Sequence, residues 1–255
     1  MPDVSLKKLL NRSDLWCAAN KAAKNQSIST GVSQLDKALH QGGWPCYGLT
    51  EFLLEAPGCG ELRLIAPALA HLSQRPGLLT LIAPPYIPYA PGLLAYGIDL
   101  SRILVIRTKS TAEILWATEQ ALRSGACSSV LSWLPDKAVR HHQIRKLQLA
   151  AQKMHGLAVL LRPRQIAQQH SPAALRIEVS LINHQYELNI LKQRGGWGGQ
   201  RIQLPLPKLL TQRQIPTNQL PVYNGRLSIA PTAPKSIQPL ADTLPVTNPS
   251  HMALH

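Results

Sequence analysis

Two glycines stand between an apolar run and a helical pattern, which is the arrangement of a phosphate-binding loop. Leu49–Leu54 predicts a short strand, Gly58 and Gly60 follow it, and apolar residues from Leu62 to Leu72 then recur at helical spacing. In such a loop, backbone N–H groups and the helix N-terminus hold phosphate oxygens. A lysine and a Ser/Thr hydroxyl complete the site in the pattern G-x-x-x-x-G-K-[ST].

The side chains that this chemistry needs are missing from the loop. With Gly60 taken as the second glycine, Glu55 occupies the place of the first glycine, Glu61 that of the lysine and Leu62 that of the hydroxyl. Two carboxylates would face a polyanion, and a leucine cannot ligate a metal ion. The degenerate loop comprises Glu55, Pro57, Gly58, Gly60, Glu61 and Leu62. We therefore expect a protein that is not an enzyme and takes no cofactor.

Strand and helix patterns alternate beyond this loop. Further buried-strand patterns lie at 78–83, 103–106, 130–134 and 157–161, with helix patterns at 111–124 and 137–154. This alternation predicts an α/β fold with a mostly parallel central sheet flanked by helices. Pro67 predicts that the helix after the loop is kinked or shortened. Period-two segments at 175–180 and 186–191 predict an appended C-terminal antiparallel hairpin.

Composition divides the chain into three parts. Residues 1–25 predict an amphipathic helical arm, and 26–204 hold most of the apolar periodicity and predict the folded domain. Residues 205–255 contain nine of the 21 prolines and few charges, which is typical of a disordered tail. The sequence has neither a membrane-length apolar run nor a signal-peptide pattern, so a cytoplasmic location is expected, with association with the nucleoid as an open alternative.

The net charge points to polyanionic partners. Lysine and arginine number 27 against 13 acidic residues, giving a formal charge of +14. Such a charge predicts electrostatic, sequence-indifferent binding to DNA, with a basic surface that serves no dedicated site as the alternative. The candidate DNA-binding residues are Arg140, Arg145, Lys146, Lys153, Arg162 and Arg164. The cysteines and histidines lack the spacing of a metal site, so no metal is expected.

Five apolar side chains are candidate contacts for protein partners. Leu6, Leu9 and Trp16 line one side of the N-terminal arm. Trp44 and Trp197 lie in glycine-rich loops, where aromatic residues are often exposed and serve as binding hot spots. The alternative for both tryptophans is that they fold back onto the core.

Several segments resemble bacterial RecA recombinases. The resemblance begins with Ile28–Leu39, Gly42–Pro45 and Gly48–Glu51, and covers about residues 26–194. In detail the chain is similar to the ImuA/SulA family of RecA-like proteins. ImuA-like segments are Gly42–Pro45, Pro57–Leu64, Ile82–Pro91 and Ser171–Arg176, and the SulA-like stretch is Leu49–Pro163. The resemblance implies a RecA-like core.

Carrying RecA's catalytic roles onto this chain finds them lost. The glutamate that would activate water corresponds to Pro85, and the Walker B aspartate corresponds to Ser132 or Trp133. Asp136 follows the strand end and is the one nearby carboxylate that could replace it. The resemblance therefore implies a pseudo-ATPase.

The family resemblance also implies partners. The ImuA-like reading predicts an adaptor in SOS-induced translesion DNA synthesis. Its partners would be an ImuB-type inactive Y-family polymerase, a C-family error-prone polymerase, RecA and DNA. The SulA-like alternative predicts a cell-division inhibitor that binds FtsZ. A working ATPase is the third alternative, which the loop residues oppose.

Overall fold

The computed structural model describes residues 27–135 and 137–206. The predicted N-terminal arm at 1–25 and the tail beyond 206 lie outside these residues. In the described part, no helix has both the length and the apolar character needed to cross a membrane.

Ten strands and five helices form the described part of the chain. The strands are β1 Ser27–Ile28, β2 Trp44–Pro45, β3 Leu49–Leu54, β4 Leu78–Ile82, β5 Ile103–Ile106, β6 Cys127–Trp133, β7 Leu157–Pro163, β8 Leu175–Ile182, β9 Gln185–Gln193 and β10 Gln200–Pro205. The helices are α1 Ser33–Ala38, α2 Glu61–Ser73, α3 Ala90–Ala95, α4 Thr111–Arg123 and α5 His141–Ala151, with 3-10 turns at Leu100–Arg102 and Arg164–Ile166.

Eight of the strands form one mixed sheet in the order β10-β9-β8-β3-β7-β6-β4-β5. The strands from β8 to β5 in this order are parallel, while β8, β9 and β10 pair antiparallel. The predicted mostly parallel α/β sheet with an antiparallel addition is confirmed. The addition has three strands rather than the predicted two. The sequence does not predict β10, because this strand is short and has only two buried apolar side chains, Ile202 and Leu204.

Helices cover both faces of the parallel part. On one face, α2 and α3 pack over β3, β4, β6 and β7, with Leu64, Leu69 and Leu93 in the core. On the other face, α4 and α5 contribute Ile114, Leu147 and their neighbours to a second apolar cluster. The helix patterns at 111–124 and 137–154 are therefore confirmed in position, although α5 begins only at His141. The backbone N–H of Arg140 donates to Oε1 of Gln143 at 2.9 Å, which fixes that start.

Pro67 does not shorten α2, which was one of the two effects expected from the sequence, and the expected kink stays a prediction. The helix runs from Glu61 to Ser73 with the proline inside it. Leu64, Ile65 and Leu69 on either side of the proline are at most 2% exposed, and Pro67 itself packs so tightly on Gly31 that a Cβ there would lie 2.4 Å from its own. Burial of the surrounding apolar face offsets the loss of one backbone hydrogen bond.

A short lead-in precedes the main sheet and was not predicted as structure. Strands β1 and β2 pair antiparallel, with Ile28 opposite Trp44, and α1 lies between them in the chain. The carboxylate of Asp36 in α1 accepts the backbone N–H of Thr30 at 2.8 Å and the hydroxyl of Ser29 at 2.7 Å. These two contacts fold the lead-in onto itself. Two-residue strands are too short to produce a periodic sequence signal.

Candidate functional site

The degenerate phosphate loop spans residues 55–60, between the end of β3 and the start of α2. Gly58 and Gly60 adopt positive φ of 84° and 96°, a conformation that glycine adopts without steric cost. The carbonyl of Gly60 accepts the Tyr186 hydroxyl at 2.7 Å, which ties the loop to β9. A Cβ on Gly60 would lie 2.9 Å from that hydroxyl oxygen. The loop thus keeps the strand–turn–helix geometry of a phosphate-binding loop.

The carboxylate of Glu61 lies inside this loop. Its Oε1 accepts the backbone N–H of Gly58 at 2.9 Å and the indole N–H of Trp133 at 3.2 Å. Glu61 is 3% exposed, although it is the first residue of α2. A negative charge at a helix N-terminus is favourable. The side chain at the lysine position of the pattern therefore supplies the loop with an anion of its own.

Burial around the loop also affects its cysteine. Desolvation raises the pKa of the Cys59 thiol to about 11, and the neighbouring charge of Glu61 acts in the same direction. The thiol is therefore protonated at neutral pH and is a poor nucleophile.

The positions of the lost RecA-type side chains hold structural residues. Ser132 is buried, and its hydroxyl lies 2.7 Å from that of Thr118 on α4. Trp133 binds Glu61 as described, while Pro85 lies exposed beside the loop. Asp136 lies outside the described residues. Within the described chain, no cluster of three or more Cys, His, Asp or Glu is placed to hold a metal ion.

A groove of about 440 Å³ opens between the loop and the segment after β4. Tyr86, Ile87 and Tyr89 lie on this segment and are 66%, 76% and 73% exposed. Gly58 and Leu62 line the opposite side. Three large apolar side chains exposed within four residues form a surface patch that can bury area against another molecule.

A buried ion-pair cluster joins the neighbouring strands β3, β7 and β8. Glu51 on β3 is fully buried, and its two carboxylate oxygens accept from Arg162 Nη1 at 3.2 Å and Arg176 Nε at 2.7 Å. Arg176 also donates to the carbonyls of Ala167 and Gln169, at 3.2 and 2.8 Å. This arginine thereby anchors the segment that follows β7. Sequence reasoning missed the cluster, although charged residues inside the apolar strands at 49–54, 157–163 and 175–182 were its signal.

One of the predicted DNA-binding arginines differs from the expectation. Arg162 is 4% exposed and binds Glu51, so the prediction that it contacts DNA is wrong. The charge of Glu51 and the covering strands keep it inside the sheet. Arg164 is half exposed, and its Nε lies 3.4 Å from Oε1 of Glu178 on β8.

The other four predicted cations lie on or beside α5. Arg140, Arg145, Lys146 and Lys153 are all exposed. Lys146 lies 3.5 Å from Glu119 on α4, which also pairs with Arg123 at 2.9 Å. The apolar face predicted for this helix, with Ile144, Leu147, Ala151 and Met154, is buried. A basic solvent face is the result, and its use by DNA stays a prediction.

The two tryptophans in glycine-rich loops differ in their exposure to solvent. Trp44 is fully buried and packs on Phe52 with ring centroids 5.5 Å apart, so its prediction as a partner contact is wrong. Pairing of β2 with β1 turns its ring into the core. Trp197 is 87% exposed. Leu6, Leu9 and Trp16 lie outside the described residues.

Comparisons with known proteins find two related groups. The family model described as cell division inhibitor SulA matches residues 50–158. The cell division inhibitor SulA of Edwardsiella piscicida is 30% identical over 102 residues, which cover 40% of this chain and 60% of that protein. SulA of Pseudomonas aeruginosa is 38% identical over 92 residues, covering 34% of this chain and 57% of that protein.

Protein ImuA of Caulobacter vibrioides is 28% identical over 144 residues, covering 54% of this chain and 57% of that protein. A crystal structure of SulA from P. aeruginosa aligns at 32% identity and a TM-score of 0.37, covering 45% of this chain and 97% of that one. The chain spans about 60% of the first of these SulA proteins. Residues 50–158, which include the degenerate loop, thus match the SulA family model, and the chain is similar to both SulA and ImuA proteins.

Proposed function

We propose that this protein is a non-catalytic adaptor with a RecA-like core, which acts in translesion DNA synthesis by holding partner proteins. The observation that supports this most directly is the Glu61 carboxylate inside the loop, bound to the N–H of Gly58 and the indole of Trp133. Because a side chain of the loop itself accepts this N–H, the N–H is not available to bind a nucleotide phosphate. Similarity to ImuA supports the choice of process.

Electrostatics argue further against nucleotide binding. A phosphate oxygen about 4 Å from the Glu61 carboxylate would be repelled by about 4 kcal/mol at an effective dielectric constant of 20. The lysine that normally offsets phosphate charge is replaced by this same glutamate, and the metal-binding hydroxyl by Leu62. Arg63, two residues after the position of the missing lysine, interacts with the Tyr96 hydroxyl.

The groove beside the loop is the surface best suited to a protein partner. Tyr86 and Tyr89 present large amphipathic rings, and Ile87 adds an apolar side chain between them. Tyrosines and tryptophans contribute most to binding energy when they become desolvated at the centre of an interface. Since apolar burial is not screened by salt, partner binding here should survive high ionic strength.

A second candidate function is cell-division inhibition. It is favoured by the match of residues 50–158 to the SulA family model, which is about as strong a support as the ImuA similarity gives to translesion synthesis. In that case the partner would be FtsZ. Both functions need a non-catalytic, protein-binding α/β domain, and they differ in the partner that is held.

A capture experiment separates the two functions. The full-length protein is immobilised and offered purified ImuB-type polymerase homologue, C-family error-prone polymerase and FtsZ separately, at about 0.5 M salt, where surface charge pairs are screened. We expect the ImuB-type protein to be retained. The double variant Tyr86→Ala/Tyr89→Ala should lose at least about tenfold in affinity, as hot-spot truncations do.

The matched control is Trp116→Ala on α4, which removes an aromatic ring that is 65% exposed outside the groove. This variant should bind like the unaltered protein. Capture of FtsZ without the polymerase proteins, together with filamentous growth on overexpression, would replace the adaptor by the division inhibitor. Retention of none of the three proteins would overturn both candidates.

A further inference from the structure

The connection between β9 and β10 is a glycine-rich loop with a single large side chain, Trp197, at its tip. Gln193 at the end of β9 holds this loop: its Nε2 donates to the carbonyl of Trp197 at 2.8 Å. The Oε1 of the same amide accepts the backbone N–H of His40 at 2.8 Å. Gln193 is 9% exposed, so both bonds are shielded from water. The backbone of Trp197 is thereby fastened to the lead-in segment.

Two glycines of the loop, Gly196 and Gly198, allow no other residue without rearrangement. A Cβ at Gly198 would lie 2.4 Å from the carbonyl oxygen of Leu191, and one at Gly196 would lie 2.7 Å from Cβ of His40. Real Cβ atoms do not approach so closely, so the close backbone contact depends on glycine. The loop is fixed in shape, yet the ring that it carries is 87% exposed. Because the loop is already ordered, stacking a ligand on its exposed indole costs less conformational entropy.

Three cations lie on or beside the strands that flank this loop. The pairing of β8 with β9 shifts register, so that Ile190 is opposite Ile177 but Lys192 is opposite Arg176, and Leu191 is the extra residue. Lys192 therefore faces away from the core, and its Nζ donates to the carbonyl of Ser171 at 2.7 Å. Arg194 is exposed just beyond the end of β9, where the loop begins.

The third cation, Arg201, is on β10. It is opposite Asn189 and alternates with the buried Ile202, and it lines a surface cavity together with Glu178 and Glu187. Among the described residues, no carboxylate forms an ion pair with Lys192, Arg194 or Arg201. The segment from 188 to 206 contains no acidic residue. The positive charge at the loop is therefore that of Lys192 and Arg194, whereas two carboxylates share the cavity of Arg201.

We propose that the β9–β10 loop is a contact site for single-stranded nucleic acid, in which a base stacks on the indole of Trp197 while Arg194 binds a flanking phosphate. Stacking platforms combined with cations are how proteins hold single strands without reading sequence. The surroundings fit a protein partner less well. Among the described residues of β9, the loop and β10, Trp197 is the only exposed large apolar side chain, so the apolar ring that encloses a protein hot spot is missing.

This site is independent of the partner groove and of the identity of the partner, and it can be tested on the full-length protein alone. The probe is a fluorescein-labelled oligothymidylate of about 20 nucleotides, long enough for a site of this kind, and binding is followed by anisotropy. Trp197→Ala should weaken binding by about tenfold, while Trp197→Tyr, which keeps a stacking ring, should stay within about twofold.

Trp116→Ala is the matched control, since it removes an exposed tryptophan on α4 and should leave the affinity unchanged. Arg194→Ala should reduce the slope of log affinity against log salt by about 0.7, as the loss of one phosphate contact to a single strand does. Arg107→Ala, just beyond β5 at the opposite edge of the sheet, should leave the slope unchanged.

Quenching of the tryptophan emission by the oligonucleotide should be largest in the unaltered protein and should fall in Trp197→Tyr. The proposal is overturned if Trp197→Ala binds the oligonucleotide as tightly as the unaltered protein while its melting temperature is unchanged. It is equally overturned if Trp197→Leu restores full affinity, because an aliphatic side chain cannot stack. Loss of a protein partner from Trp197→Ala, with oligonucleotide binding intact, would assign the loop to a protein interface instead.

Discussion

At the start of α2, one side chain decides what the phosphate-like loop can hold. The carboxylate of Glu61 accepts a hydrogen bond from the N–H of Gly58, and the indole of Trp133 donates to the same oxygen. Removing the lysine alone would leave an empty anion site. A glutamate in its place instead supplies the negative charge that the Gly58 N–H binds, at the N-terminus of α2.

We therefore expect the protein to bind no ATP. Titration calorimetry with ATP and Mg²⁺ up to millimolar concentration should give only heats of dilution, because the Glu61 carboxylate repels the phosphates at this position. A known ATP-binding protein of similar size, run in the same buffer, is the control. A saturable isotherm with a micromolar Kd that disappears on changing Gly60 would contradict this expectation.

At the scale of elements, the loop joins β3, α2 and β9. Gly60 precedes the first residue of α2 at a positive φ of 96°, and its carbonyl accepts both the Leu64 N–H of the first helical turn, at 3.0 Å, and the Tyr186 hydroxyl. One residue thus connects the helix start to the antiparallel strands, and its lack of a side chain is what allows the approach.

Replacing Gly60 by alanine tests this connection. The variant carries the backbone cost of a positive φ, about 1–2 kcal/mol, and also a Cβ 2.9 Å from the Tyr186 hydroxyl oxygen. We expect urea unfolding to report a loss of about 2–4 kcal/mol in all.

Gly125→Ala is the control, because Gly125 has a φ of 70° but an added Cβ would meet nothing within 4 Å. It should carry only the backbone cost. In Gly60→Ala/Tyr186→Phe, part of the loss should be recovered, since the hydroxyl is gone. Equal destabilisation by Gly60→Ala and Gly125→Ala would show that the close approach is unimportant.

At the scale of the molecule, Glu51 connects the parallel half of the sheet to the antiparallel strands. It lies on β3, between β7, which carries Arg162, and β8, which carries Arg176. Two guanidinium groups share one buried carboxylate, and Arg176 continues to the carbonyls at 166, 167 and 169. Three strands and the segment after β7 are thus linked through this carboxylate.

Glu51→Gln should therefore destabilise the whole domain. It keeps the shape of the side chain but removes the negative charge that Arg162 and Arg176 contact inside the sheet, which costs about 3–5 kcal/mol. Glu178→Gln is the matched control, since Glu178 pairs with Arg164, whose side chain is 48% exposed, and should lose less than about 1 kcal/mol. The measurement is equilibrium urea unfolding followed by circular dichroism. A loss below about 1 kcal/mol for Glu51→Gln would contradict the role given to the cluster.

The sequence by itself determined the order of strands and helices and the loss of the phosphate-binding side chains. Both are local properties: buried strands and amphipathic helices have their own periods, and the chemistry of a loop follows from the residue types in it. The mostly parallel sheet followed from the alternation at 49–54, 61–73, 78–82 and 103–163, and the third antiparallel strand was missed because 200–205 has too few apolar residues to show a period.

Only the tertiary structure decided which polar and aromatic side chains are buried. Arg162 and Arg176 lie 111 and 125 residues from Glu51 in the chain, and no local pattern foretells that one carboxylate will hold both. Trp44 and Trp197 have similar glycine-rich surroundings in the sequence. Strand pairing turns the first into the core, whereas the Gln193 amide holds the loop of the second at the surface. Burial depends on which distant segment covers a residue, and that is settled when the sheet assembles.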